Sequence, residues 1–160
     1  MWQEQGFLQG GIDVNDAMMR LQKYINTLAE RFRSYSDDEL THKATPGKWS
    51  RKELLGHLID SALNNLQRFT EIPFSEQPYF IQSYNQNELV IVNTYQQLPI
   101  EHLLKLWQSL NWQIIYVVKE IPTYKLAYKV DPQYDNHMMQ TLGWIICDYV
   151  AHMEHHMKQL

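Results

Sequence analysis

The sequence of 160 residues has only one cysteine and no long apolar run. A single cysteine cannot form an internal disulfide, and Cys147 stands beside Ile146 in a helical pattern, which favours a small buried side chain over a nucleophile. No stretch approaches the roughly 18 apolar residues of a membrane span. The first residues also lack the cationic and apolar segments of a signal peptide. These absences predict a cytoplasmic protein that does not enter a membrane.

An excess of positive charge is absent as well, since the formal net charge is -4 and charged residues make up 20% of the chain. No basic tract or basic face is available to neutralise phosphates, so we expect no nucleic-acid partner. Hydrophobic residues make up 44%. A chain of this length and composition is expected to form one domain with a real core, spanning residues 1–160.

Four segments carry the alternating three-and-four spacing of apolar residues that is typical of amphipathic helices. Capping oxygens of Asn15 and Asp16 precede the first segment. The second begins with a capping box, in which Ser50 and Glu53 each satisfy a backbone N–H of the first helical turn. The helices are predicted at about residues 15–34, 50–70, 103–117 and 139–160.

The connections between these helices differ in length. Residues 71–99 form a segment that is long for a compact domain, and such segments tend to be functional or crossover elements. The first dozen residues are predicted to be an extended lead-in, residues 40–47 a connector, and residues 124–128 a short hairpin. Together the elements predict an all-α four-helix bundle.

Two histidines in the last helix stand four residues apart, at His152 and His156. On a helix this spacing brings two imidazoles to one face, roughly 5–6 Å apart at Cβ, where both can bind one cation. At about 100° per residue, His156 lies inside the apolar stripe, His152 lies on its edge and His155 points away. The spacing alone also suits two ordinary histidines at the edge of a core, so the pair is a hypothesis.

A third histidine, His57, lies near the start of the second helix. It can meet His152 and His156, near the end of the fourth helix, only if these two helices are antiparallel. A long crossover between helices two and three permits this, because helix three can then run parallel to helix two. The predicted topology is therefore up-down-down-up, with the three histidines at one end.

Two segments resemble a known family: GKWSRKELLGHLID at residues 47–60 and TLGWIICDYVAHMEHH at residues 141–156. They are similar to the DinB-like superfamily of metalloenzymes, especially its YfiT-like branch. In that family a tryptophan precedes a helix with one histidine, the C-terminal helix carries H-x-x-x-H, and these three histidines are the metal ligands. The matching positions are His57, His152 and His156.

The resemblance implies a zinc or nickel site, often in a homodimer, and a small-molecule substrate. For this family that means transfer of a low-molecular-weight thiol such as bacillithiol or mycothiol onto an electrophile. Three imidazoles suit such a borderline divalent metal and leave an open coordination position. We therefore expect a metal-dependent enzyme, with a thiol S-transferase as the first hypothesis. A hydrolase that activates water at the same site is the alternative, and so is a bundle that binds a metal or a small ligand without catalysis.

Metal-bound histidines usually donate their second N–H to a carboxylate or carbonyl. Asp60, one turn after His57, and Asp148, one turn before His152, are the candidates for this role, although both could be solvated surface acids. No catalytic residue is assigned. Four aromatic residues could wall the site, but such side chains more often serve packing; they are Trp49, Tyr79, Phe80 and Tyr84.

Overall fold

The structure is a computed structural model, and it describes Gly6, Leu8, residues 10–133 and residues 137–160. Much of the predicted N-terminal lead-in lies outside these residues. The helices, numbered in chain order, are α1 (Val14–Arg33), α2 (Asp37–Thr41), α3 (Arg51–Glu71), α4 (Gln86–Val92), α5 (Ile100–Lys119) and α6 (Leu142–Met157). The four long helices have 20, 21, 20 and 16 residues, and they confirm the predicted four-helix bundle.

Side-chain caps set the starts of the two long helices that were predicted from them. The capping box of α3 is present, because Ser50 accepts the N–H of Glu53 and the Glu53 carboxylate accepts the N–H of Ser50 at 2.8 Å. In α1 the cap is Asp13, whose side chain accepts the N–H of Asp16. The helix thus begins earlier than Asn15 and Asp16 suggested, because Asp13 already has the extended backbone that a cap requires.

Long-range contacts made by side chains establish the direction of each long helix. Between α1 and α6, Arg20 contacts Glu154 and Tyr35 contacts Leu160. Between α1 and α5, Arg33 contacts Glu101 and Gln108 contacts Ile25. Between α3 and α6, His57 contacts His152 and Phe69 contacts Tyr149. Residue numbers rise together between α1 and α6, and they run in opposite directions between α1 and α5 and between α3 and α6. Helices α3 and α5 therefore run parallel, which confirms the up-down-down-up topology and the crossover between them.

The crossover is structured, and it pairs with a distant segment. It contains 3-10 turns at Ile72–Phe74 and Tyr95–Gln97, helix α4 and strand β1 (Tyr79–Phe80). Strand β1 is parallel to β2 (Lys129–Asp131), which is antiparallel to β3 (Gln140–Thr141). These short strands brace the crossover against the segment that precedes α6.

Three local predictions differ from the structure. Residues Thr123–Ala127 form a 3-10 helix rather than a hairpin, because the strand that follows them pairs with the distant β1. Helix α6 begins at Leu142, since the residues just before it pair with β2. Helix α2 reaches into the predicted connector, and its capping box, Ser36 with Glu39, was a signal that the sequence carried.

The core lies between the four long helices and contains the predicted apolar stripes. Its largest fully buried side chains include Trp107, Phe32 and Phe69. One polar pair crosses it, since the Tyr149 hydroxyl donates to the Asn111 side-chain oxygen at 2.5 Å. None of the described helices has the length and apolar character needed to cross a membrane.

Candidate metal centre

The three predicted histidines meet at one end of the bundle. His57 lies in the second turn of α3, and His152 and His156 lie in the last two turns of the antiparallel α6. The Nε2 atom of His152 lies 3.2 Å from Nε2 of His57 and 3.0 Å from Nε2 of His156. Each of the three residues offers a ligand atom within 4.8 Å of the others, and no fourth histidine, cysteine or carboxylate among the described residues joins the group.

These separations fit the nitrogens around one small divalent ion. With Zn–N bonds of about 2.0–2.1 Å and tetrahedral angles, ligand nitrogens lie about 3.3–3.4 Å apart. The distances of 3.2 Å and 3.0 Å require only a slight opening of the cluster. The donor set therefore fits a metal ion, with three imidazoles on one side and the other side without a protein ligand among the described residues.

Burial keeps the three imidazoles neutral, as metal ligands must be. Loss of solvation, with a smaller effect of the neighbouring His156, lowers the pKa of His57 to about 3. Loss of solvation also lowers the pKa of His156 to about 4 and places the pKa of His152 well below its usual value. At neutral pH the cluster thus presents nitrogen lone pairs and no positive charge of its own.

The surroundings hold the rings in place. The Trp49 ring lies 4.7 Å from the His57 ring and 6.5 Å from the His156 ring, so this tryptophan does form a wall of the site. The Ser61 hydroxyl lies 3.4 Å from Nδ1 of His152. His155 is exposed, as the helical periodicity predicted. Ser61 is one turn after His57 on α3, a position that the sequence reasoning overlooked.

Asp60 is buried beside the cluster, with 2% of its surface exposed. Its Oδ1 accepts hydrogen bonds from the Tyr95 hydroxyl at 2.7 Å and from the Asn93 amide at 2.9 Å. Burial raises the pKa of Asp60, although both donors act in the opposite direction. Its Oδ2 and Nδ1 of His57 are both buried and have no hydrogen-bond partner among the described residues. Asp60 is therefore no solvated surface acid.

A glycine on α3 lets the crossover reach Asp60. The Tyr95 ring packs against Gly56, and a Cβ at Gly56 would lie only 2.1 Å from Cδ2 of that ring. The end of the crossover is thereby attached to α3 next to His57. A glycine inside a helical pattern was the available signal, because it often marks a close approach of another segment. Its partner, Tyr95, could not be read from the sequence.

Asp148, the other candidate, lies one turn before His152 on α6 and is half-buried. Its Oδ1 accepts the backbone N–H of Leu8 at 2.7 Å. The carboxylate therefore attaches Leu8 to the last helix. A role for Asp148 in orienting His152 stays a prediction.

Comparison with known proteins places this geometry in a family context. A sequence model of the DinB superfamily matches residues 20–160. A protein of Oceanobacillus iheyensis is 22% identical over 148 residues, covering 92% of this chain and 83% of the relative. A protein of Halalkalibacterium halodurans is 27% identical over 142 residues, covering 86% of this chain and 81% of the relative. The names of both class them provisionally as metal-dependent hydrolases.

Two solved structures share the fold. YfiT from Bacillus subtilis, described as a probable metal-dependent hydrolase with an unusual four-helix bundle topology, superimposes with a TM-score of 0.81 at 20% identity, over 93% of this chain and 86% of that one. A mycothiol-dependent maleylpyruvate isomerase gives a TM-score of 0.68 at 11% identity, over 91% of this chain and 60% of that one. At these identities the likeness establishes the architecture.

Proposed function

The chain belongs to the DinB superfamily, and from that premise we propose that it is a metal-dependent enzyme whose divalent ion is held by His57, His152 and His156. The observation that carries the proposal is the convergence of one buried and two half-buried histidines from two antiparallel helices. The Nε2 atom of His152 lies 3.2 Å from that of His57 and 3.0 Å from that of His156. Zinc and nickel are the proposed metals, because imidazole nitrogen is a ligand that both accept.

When bound, the ion supplies Lewis-acid chemistry, which lowers the pKa of a thiol or a water molecule in its open position. The protein itself contributes three neutral ring nitrogens and an apolar wall, which the Trp49 ring forms against His57. We place the substrate on the side of the cluster that has no fourth protein ligand among the described residues.

Asp60 is proposed as a positioning residue for His57. Its Oδ2 and the Nδ1 atom of His57 are buried without partners, and the two residues lie one helical turn apart. A hydrogen bond from Nδ1–H to Oδ2 would satisfy both atoms and keep the Nε2 lone pair directed at the metal. The donors Tyr95 and Asn93 hold the other carboxylate oxygen, so the crossover would help to orient the ligand.

The proposed reaction is transfer of a low-molecular-weight thiol onto an electrophile. The shared fold of a mycothiol-dependent isomerase supports thiol chemistry on this scaffold. Hydrolysis by an activated water is the second candidate, and the names of the two curated relatives favour it. The two reactions differ in one requirement, because only the transferase consumes a thiol.

Metal analysis tests the site itself. Protein purified without a histidine tag and loaded separately with zinc or nickel is expected to retain about one ion per chain, as three-imidazole sites do. H57A and H156A should lose it, whereas H155A is the matched control, because His155 is exposed on the same helix. D60N should keep the ion but bind it about 10–100-fold more weakly. A wild-type protein that retains no metal under any loading would reject the proposal.

Turnover tests the reaction class. Halogenated and epoxide electrophiles are incubated with the metal-loaded protein, with and without a thiol, and product is measured by mass spectrometry. A thiol adduct that requires His57 supports the transferase. Hydrolysis without thiol supports the second candidate, and the absence of both products with a fully loaded site would leave a metal-binding bundle without this activity.

A further inference from the structure

A cavity of about 580 Å³ opens along the second half of α3, where residues 76–82 of the crossover face the helix. Its volume lies within the range of about 300–1,000 Å³ that is typical of small-molecule sites. None of the three histidines lines it. Its walls are mostly polar, and they include Asn64, Arg68, Glu71, Glu76, Tyr79 and Gln82.

The cavity and the histidine cluster lie along the same face of α3. His57, Ser61, Asn64 and Arg68 follow one another at spacings of four, three and four residues, which places them on a single stripe of the helix. Eleven residues at 1.5 Å each separate the ends of the stripe by about 16 Å. The Arg68 side chain leans back toward the histidines, since its Nη1 lies 3.5 Å from Oδ1 of Asn65. About 11 Å, or one helical turn less, then remains between the guanidinium and the cluster.

The cavity holds a cation and an anion in fixed positions. Nη2 of Arg68 donates to the Gln82 carbonyl at 3.1 Å, and among the described residues Arg68 has no ion pair with a carboxylate. A guanidinium has five N–H donors, so several are left for a ligand. The Glu71 carboxylate accepts from Gln67 and from the Tyr79 hydroxyl, each at 2.8 Å. These hydrogen bonds lower the pKa of Glu71 and keep it ionised.

We infer that this cavity is a second subsite of the enzyme, which binds an amino-acid-type end, one carboxylate and one ammonium, of the substrate thiol. The carboxylate pairs with Arg68, whose planar fork suits two oxygens. The ammonium faces Glu71 and Glu76. A span of about 11 Å corresponds to about three extended residues, so the thiol is of tripeptide size. The inference rests on the proposed function for the place of the reactive end, at the histidines.

Calorimetry on the metal-free protein tests the subsite separately from the metal. The probe is S-methylglutathione, which carries carboxylates and an ammonium but has no thiol that could ligate an ion. Wild-type protein is expected to bind it, and R68Q should weaken binding about tenfold, as expected for one charge-assisted hydrogen-bonded contact. R33Q is the matched control, because Arg33 is an exposed arginine that pairs with Glu101 and does not line the cavity. Absence of wild-type binding, or equal affinity in R68Q, would overturn the inference.

A second titration tests whether the thiol of the substrate binds at the three histidines while its other end reaches Arg68. Cobalt-loaded protein is titrated with glutathione and with 2-mercaptoethanol, and the thiolate-to-cobalt absorption band is followed. R68Q should raise the apparent Kd for glutathione about tenfold and leave that for 2-mercaptoethanol unchanged, because the smaller thiol cannot reach Arg68. Equal effects on both thiols would contradict a specific subsite. If the wild-type protein takes up no cobalt, the proposed metal site fails, and the calorimetric result alone decides whether the cavity binds the zwitterionic group.

Discussion

Replacement of Gly56 by alanine is expected to destabilise the protein, although helix propensity predicts the opposite. In the middle of a helix alanine is more favourable than glycine by about 1 kcal/mol. Here a Cβ would lie 2.1 Å from Cδ2 and 2.3 Å from Cγ of Tyr95, so the ring must move. Overpacking costs about 1–3 kcal/mol. The displaced hydroxyl would also leave the buried Asp60 oxygen short of a donor, which costs a further ~1–3 kcal/mol. We expect a net loss of about 3 kcal/mol, and of at least about 1 kcal/mol.

Urea denaturation of the metal-free protein measures this change. Tyr95→Ala provides the decisive background, since without the ring G56A should become neutral or stabilising by about 1 kcal/mol. Gly47→Ala is the matched control, because nothing lies within 4 Å of a Cβ at that glycine. A G56A variant as stable as the wild type, or one equally destabilised in the Tyr95→Ala background, would refute the contact between the crossover and α3.

Three further predictions concern the histidines and the core. Metal-free protein should lose stability as the pH falls below 6.5, because the lowered pKa of His57, about 3, makes the unfolded chain bind more protons than the folded one. The loss should reach about 2 kcal/mol at pH 5 for this residue alone, and an H57A variant with the same pH dependence would contradict it. Nickel or cobalt should quench the fluorescence of Trp49, whose ring lies 4.7 Å from that of His57. The quenching is measured in wild type and in W49F, and equal quenching in both would show that the ion binds elsewhere. Y149F should cost about 1–3 kcal/mol, because Asn111 would be left buried without its donor at 2.5 Å; unchanged stability in urea denaturation would show that this hydrogen bond contributes little.

Much of the candidate site could be read from local sequence patterns. The spacing of His152 and His156 puts both rings on one helical face whatever packs against it, and the capping box at Ser50 determines where the helix of His57 begins. The relative direction of the helices could also be predicted, because a crossover of nearly thirty residues, 71–99, permits helices two and three to run parallel. The resemblance of residues 47–60 and 141–156 to a family supported the same three ligands.

Contacts between distant segments could not be predicted from local sequence patterns. The parallel pairing of β1 with β2 joins Tyr79 to Val130, and no short-range pattern encodes such a partner. The same holds for the Tyr95 hydroxyl on Asp60, 35 residues earlier in the chain. Each of these contacts is one choice among many that satisfy hydrophobic burial equally well at the level of single segments.

The amino-acid sequence by itself therefore determined the four long helices, the capping box of α3, the bundle and the three candidate histidines, since these depend on periodicity and on groups a few residues apart. Only the tertiary structure decided that the Nε2 atoms converge at 3.0–3.2 Å, that the Tyr95 ring packs on Gly56 beside His57, and that Arg68 lines a polar cavity along the second half of α3. Such features follow from how whole helices and the crossover pack together, and packing is settled by the shapes of all the side chains at once.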